Sequence, residues 1–263
     1  MADLGDQGWI RFSFDRRLAA WAAHADRAAL AVEAAPPPDM MRCDGTWFVG
    51  VNALANDAAG RLPGGPPLDG AAVAAARALV GTGFAFDRAQ ASVCYTNYPR
   101  QGGEEDDAAF RFRCDRDAAH VDGLHRVMPG RRRAVREVHG FILGIPLNDP
   151  PEGAAPVTIW DGSHHIMRAA FADLLGDLPP DQWGEVDVTA AYQAARRRCF
   201  ETCKRRLVPA LRGEAYLIHR LALHGVAPWG NAPAGRRAIA YFRPDLAGAG
   251  WAGQGDGWWL TAP

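Results

Sequence analysis

From residue 91 the chain divides into short runs rich in β-branched and aromatic residues: "ASVCYTNYP", "AAFRFRCDRDAAH", "EVHGFILGIPLND" and "APVTIWDG". Gly, Pro or Asp clusters separate them, which is the signature of short strands. This feature constrains the fold most, because strands of this length persist only when paired in sheets. Two more candidates, "GEAYLIHRLALHG" and "RRAIAYFRPDL", follow later.

Helical segments surround these runs. Residues 14–34 read as an amphipathic helix stopped by "APPPD". "RLPGGPPLDG" reads as a loop with Asp69 as cap, opening an alanine-rich helix that runs through Val80. Helical character returns from about His165 to Leu175 and across "VTAAYQAARRRCFETCKRRL". The expected fold is mainly β with flanking helices, a closed double-sheet roll. It is expected as one domain over residues 1–263: a helical N-terminal layer over about 1–88, then a β-roll core over about 89–245. A helical insertion is expected at about 164–206.

Composition limits the function classes. A hydrophobic fraction of 48% and 9 tryptophans fit a packed globule. A net charge of −1 provides no field to recruit nucleic acid or an anionic membrane. No apolar run approaches the roughly 20 residues that span a bilayer, and the first residues lack a signal-peptide order. All 29 basic residues but Lys204 are arginine, which with abundant Ala, Gly and Pro suggests a GC-rich, bacterial genome. The 5 cysteines lack zinc-finger spacing. Cys199 and Cys203, four apart on an expected helix, are poorly placed for a disulfide. A reducing, cytoplasmic location follows.

His120 and Asp122 stand two apart in "HVDG". On a strand, such residues project from one face and can converge on one ion. A third ligand would come from a distant strand, and "YLIHRLALHG" offers His219 and His224. They are five apart, so on an unbroken strand only one points inward. Two histidines and a carboxylate on one face of an octahedral iron leave three positions for a bidentate oxoacid and dioxygen. The same set would also suit a tetrahedral zinc hydrolase, and a non-catalytic jelly-roll binding protein is a further alternative.

"HVDG", "IWDGSHH" and "LHGVAPWGNAPAGRRAIAYF", in that order across about residues 90–243, resemble the phytanoyl-CoA dioxygenase family of Fe(II)/2-oxoglutarate oxygenases. The resemblance implies a double-stranded β-helix of cupin-like jelly-roll form. It implies His120, Asp122 and His224 as iron ligands, His224 being preferred because glycine follows it. It also implies an arginine, Arg236 or Arg237, on the far carboxylate of 2-oxoglutarate. In "RRAIAYF" Arg236 shares a face with Ala238 and Ala240, where a slender dicarboxylate has room, so Arg236 is the expected anchor. The implied reaction consumes O2 and 2-oxoglutarate, hydroxylates a small molecule and releases succinate and CO2. Related halogenases leave the carboxylate position to halide; Asp122 fills it here, which favours hydroxylation.

Other residues have quieter expectations. "HRVMPGRRRAVRE" reads as a solvated hairpin, though its Arg126, Arg131, Arg132, Arg133 and Arg136 could recruit an anionic substrate. His219 reads as a core histidine, His164 and His165 as packing and capping groups, and His125 and His139 as candidate pocket lining.

Overall fold

The structure is a computed structural model and describes residues 2–81, 83–127, 130, 132–246 and 258–261. The N-terminal part contains α1 (Ala2–Gln7), β1 (Trp9–Phe12), α2 (Arg16–Glu33), β2 (Met41–Arg42), β3 (Trp47–Phe48) and α3 (Ala71–Val80). Next come β4 (Gln90–Tyr95), α4 (Asp107–Asp115), and a hairpin of β5 (Leu124–Val127) and β6 (Arg132–Val135). The roll continues through β7 (Phe141–Pro146) and β8 (Val157–Trp160), then the inserted helices α5 (Ser163–Leu175) and α6 (Thr189–Thr202). It finishes with β9 (Arg205–Val208), β10 (Ala215–His219), β11 (His224–Val226), β12 (Arg236–Phe242) and the short α7 (Trp258–Thr261).

The large sheet has the order β1-β10-β7-β12-β4-β3-β2, and the small one β11-β8-β9. All the pairings within both are antiparallel. Residue 120 adds a fourth rung to the small sheet by bridging to residue 224. From β7 onward the chain crosses between sheets: β7 large, β8 and β9 small, β10 large, β11 small, β12 large. That alternation makes a mainly β jelly roll with flanking helices.

Strand alternation sorts the core into two sides. Ala238, Ala240 and Phe242 of β12 join the core beneath the helices, where the Phe242 ring lies 5.7 Å from Trp21 of α2. Ile239 and Tyr241 face the other way and pack with Ile142, Val157, Ile159, Val208 and Tyr216 between the two sheets. Full burial of a side chain such as Phe242 contributes roughly 2–3 kcal/mol.

Several expectations change. The alternating "FRFRC" run is helical, not a strand: Asp106 accepts from the Ala109 N–H and caps α4, while Phe112 packs edge-on against Phe200. Asp69 does not cap α3. Asp15 does that work, taking the Arg17 N–H of α2 on Oδ1 and the Ala71 N–H of α3 on Oδ2. Asp69 pairs with Arg17 instead. The N-terminal region is not purely helical, since β1 and the β2–β3 pair extend the large sheet at its two edges. Strand β9, hidden in the sequence behind a helical arginine run, completes the small sheet.

Candidate metal centre

His120, Asp122 and His224 come together: one ligand atom of each lies within 4.8 Å of the others. The convergence has a backbone cause. The His120 N–H donates to the His224 carbonyl at 2.8 Å and the His224 N–H returns to the His120 carbonyl at 3.1 Å. This reciprocal rung sets the two rings side by side, with centroids 4.7 Å apart.

Two glycines permit it. A Cβ on Gly225 would stand 2.3 Å from the Asp117 carbonyl oxygen, so only glycine lets residues 224–226 approach residues 117–120. Gly123 has φ +81°, and a Cβ there would meet the Glu137 carbonyl at 2.3 Å, so the turn after Asp122 also needs glycine. Asp117 and Ala118 adopt left-handed φ angles of 55° and 51°. Arg205 holds the buried Asp117 carboxylate through two contacts of 2.6 and 2.9 Å. The strained turn is thereby fixed where it presents the Ala118 carbonyl to His120.

Each ring's tautomer follows from its partner. His120 Nδ1 lies 3.0 Å from the Ala118 carbonyl and His224 Nδ1 lies 3.0 Å from the Ala222 carbonyl. A carbonyl only accepts, so both Nδ1 atoms carry hydrogen and both neutral rings present an Nε2 lone pair. His120 Nε2 is 3.1 Å from Asp122 Oδ1, and His224 Nε2 is 3.6 Å from Asp122 Oδ2. Burial opposes the ionised form of Asp122. The Arg243 guanidinium beside it outweighs burial and holds the carboxyl well below the usual carboxylate range.

The cluster borders a cavity of about 700 Å³. The His120 side chain is 48% exposed, against 9% for His224. His125 and His139 line it as expected, joined by Glu137. His139 Nε2 is 3.0 Å and His125 Nε2 is 3.3 Å from Glu137 Oε2. The His139 contact, acting against burial, pulls the Glu137 carboxyl down to about 2. Among the described arginines of the hairpin, Arg133 alone lines the cavity, and its Nη1 donates to the Leu124 carbonyl. Arg132 pairs with Asp187 and Arg136 with Glu185, so those charges are engaged by the insertion. Arg131 lies outside the described residues.

His219 and His224 do not share an unbroken strand. A turn separates them, leaving His219 at the end of β10 in the large sheet and His224 at the start of β11 in the small one. His219 Nδ1 accepts from the Leu221 N–H, and its ring packs against His164. His164 is buried and bonds the Gly5 carbonyl; the position capping α5 belongs to Gly162.

The alternation along β12 holds, but its inner face is the odd-numbered one. Arg236 points to the helix side, where Glu33 at 2.7 Å and Asp26 at 2.9 Å bind it. That face is occupied by α2, so the expected anchor Arg236 does not face the interior between the sheets, whereas its neighbour Arg237 does. Arg237 is 2% exposed, donates to Tyr241 Oη at 3.3 Å, and keeps a buried Nη1 with no hydrogen-bond partner. Tyr241 lines the metal-side cavity, and Arg237 lines a second cavity of about 310 Å³ walled by prolines, Val157 and Ile239.

The donor set fits a divalent ion: the two Nε2 atoms stand on the two oxygens of the Asp122 carboxylate, His120 by Oδ1 and His224 by Oδ2, and the buried Oδ2 accepts no hydrogen bond. The orphaned Arg237 nitrogen fits a carboxylate. Sequence reasoning missed Asp117, Arg205, Tyr241 and Arg243. Only the last two left a signal, an even spacing from Arg237 that puts them on its face of the strand.

No family model matches the chain, and no curated protein matches it. Solved structures overlap it weakly. EctD from S. alaskensis with bound Fe is 16% identical, covers 93% of this chain and 74% of its own, with TM-score 0.48. The non-heme alpha ketoglutarate dependent epimerase SnoN is 15% identical over 92% and 81%, with TM-score 0.48. AviO1 from Streptomyces viridochromogenes is 16% identical over 94% and 93%, with TM-score 0.47. Overlaps of this size carry no weight for the chemistry, and the jelly-roll assignment rests on this chain's own strand pairing.

Proposed function

We propose that this protein is an Fe(II)- and 2-oxoglutarate-dependent dioxygenase, folded as one domain, that hydroxylates a small molecule and releases succinate and CO2. The observation that carries the reading is the pair of Nε2 lone pairs converging with one carboxylate on a single side of an open cavity. Three ligands on one face leave room for a chelating oxoacid and dioxygen. The motif order "HVDG", "GSH", "HG" supports kinship with the phytanoyl-CoA dioxygenase-like enzymes.

Iron bound there would supply dioxygen activation coupled to oxidative decarboxylation of 2-oxoglutarate. The chain's residues have separate tasks. His120, Asp122 and His224 hold the ion, with both rings fixed by backbone carbonyls. Arg237, assisted by Tyr241, takes the distal carboxylate in a charge-assisted contact. Val226 and Trp47 line the cavity beside the ligands and limit water there. Asn52, Arg88, His125 and Glu137 line the same cavity and would orient a polar substrate.

The five free cysteines support a reducing, cytoplasmic setting. No helix among the described residues is long and apolar enough to cross a membrane. The test is succinate formation from 2-oxoglutarate with Fe(II) and O2. Fe(II)-dependent turnover that Zn(II) does not support is expected. Hydrolytic activity with Zn(II), or no succinate at any iron concentration, would overturn the reading.

A further inference from the structure

Arg243 follows the end of β12, on the same side as Arg237 and Tyr241. Its Nε stands 2.6 Å from Asp122 Oδ2, the oxygen that also faces His224. Neither atom of that contact makes a hydrogen bond, so the attraction is between charges and not a directed N–H bond. The guanidinium is closely fixed. Its Nη1 donates to Gln90 Oε1, and Gln90 is held in turn by its own bond to the Val49 carbonyl. Its carbon lies 5.1 Å over the Tyr241 ring. The backbone is pinned from both directions: the Arg243 N–H donates to Asp87 Oδ1, and His139 Nδ1 lies 3.0 Å from the Arg243 carbonyl.

Accordingly, a positive charge is held against the one anionic ligand of the cluster and cannot easily withdraw. We propose that Arg243 is a built-in counter-ion of Asp122, one that steadies the buried carboxylate before metal enters and weakens metal affinity by standing beside the ion afterwards. Arg243 is a positioning residue here, acting on the metal through Asp122. The inference rests on the reading of His120, Asp122 and His224 as metal ligands. Its physical basis is simple: a fixed cation stabilises a lone buried carboxylate and repels a divalent ion placed on it.

The test is a titration with Co(II) alone at pH 8, followed by absorbance and calorimetry, with melting of the metal-free protein alongside. Arg243→Met and Arg243→Gln should bind Co(II) about tenfold or more tightly than wild type while melting lower without metal. The glutamine can still bond Gln90, so it tests the charge should the methionine variant misfold. Arg243→Lys keeps the charge and should stay within about threefold of wild type. Neutral variants that bind Co(II) no more tightly than wild type would overturn the counter-ion role. Wild type that binds no better than His224→Ala would sink the metal-site reading, and this inference with it.

Discussion

Two pairs of histidine rings in this molecule have the same centroid separation, 4.7 Å, and opposite character. The His120–His224 pair flanks Asp122, opens on a cavity, and turns both Nδ1 atoms to backbone carbonyls. The His164–His219 pair lies among Arg168 and Arg220: His164 Nε2 meets the Gly5 carbonyl, His219 Nδ1 accepts from the Leu221 N–H, and His219 Nε2 lies 3.0 Å from Arg168 Nη2. Burial pushes the His164 imidazole down to about 4, and burial with the neighbouring guanidinium groups lowers His219 well below the ordinary histidine value. Ring proximity therefore does not make a metal site. A carboxylate between the rings, and a second nitrogen tied to an acceptor on each, are what set the donor group of the first pair apart.

The largest expected effect breaks the first pair. Asp122→Ala should abolish metal binding and iron-dependent succinate formation, measured by calorimetry and turnover, since two neutral histidines alone hold a divalent ion weakly. His219→Ala is the matching change in the second pair. It should leave succinate formation intact while lowering stability by about 2–4 kcal/mol in urea denaturation, because it opens a buried site. Loss of metal binding in His219→Ala with retention in His224→Ala would invert the comparison.

A second contrast sharpens the first. Adjacent arginines on β12 face opposite sides: Arg236 is bound by two carboxylates, Arg237 by none among the described residues. Arg237→Ala should raise the KM for 2-oxoglutarate by about 30- to 1000-fold with metal affinity unchanged. Arg236→Ala should scarcely move that KM. It should instead cost about 3 kcal/mol of stability, because among the described residues Glu33 keeps only Tyr95 and Asp26 only Arg212 as side-chain partners. Steady-state kinetics and denaturation of both variants separate the two roles.

Much of this was legible in the residues. "HVDG" and "LHG" pointed to the three residues that converge, and the alternation in "RRAIAYF" correctly separated the two arginines onto two faces. Which face was inner was not legible, because that depends on α2 bringing Glu33 and Asp26 from about two hundred residues away. The break between His219 and His224 was hidden for a similar reason: their run looks uniformly strand-like, and the crossing from one sheet to the other is a tertiary event. In α4 a local cap overrode a strand-like alternation.

The smallest effect concerns pH. Unfolded His164 takes up a proton near pH 6.5, whereas the folded protein resists until about pH 4. Its contribution is complete above about pH 6.5 and fades as pH falls toward 4. The stability gap between wild type and His164→Gln should thus narrow by about 2 kcal/mol between about pH 7 and pH 5, read from urea midpoints. A gap that stays constant would mean that the folded ring takes up its proton at the same pH as the unfolded one.

The most direct test of the metal centre is absorbance under anaerobic conditions with Fe(II) and 2-oxoglutarate added together. A weak visible charge-transfer band should appear in wild type, depend on both additions, and vanish in Asp122→Ala and His224→Ala. A wild-type spectrum with no such band, or a band that survives both substitutions, would contradict the assignment of His120, Asp122 and His224 to an iron that 2-oxoglutarate chelates.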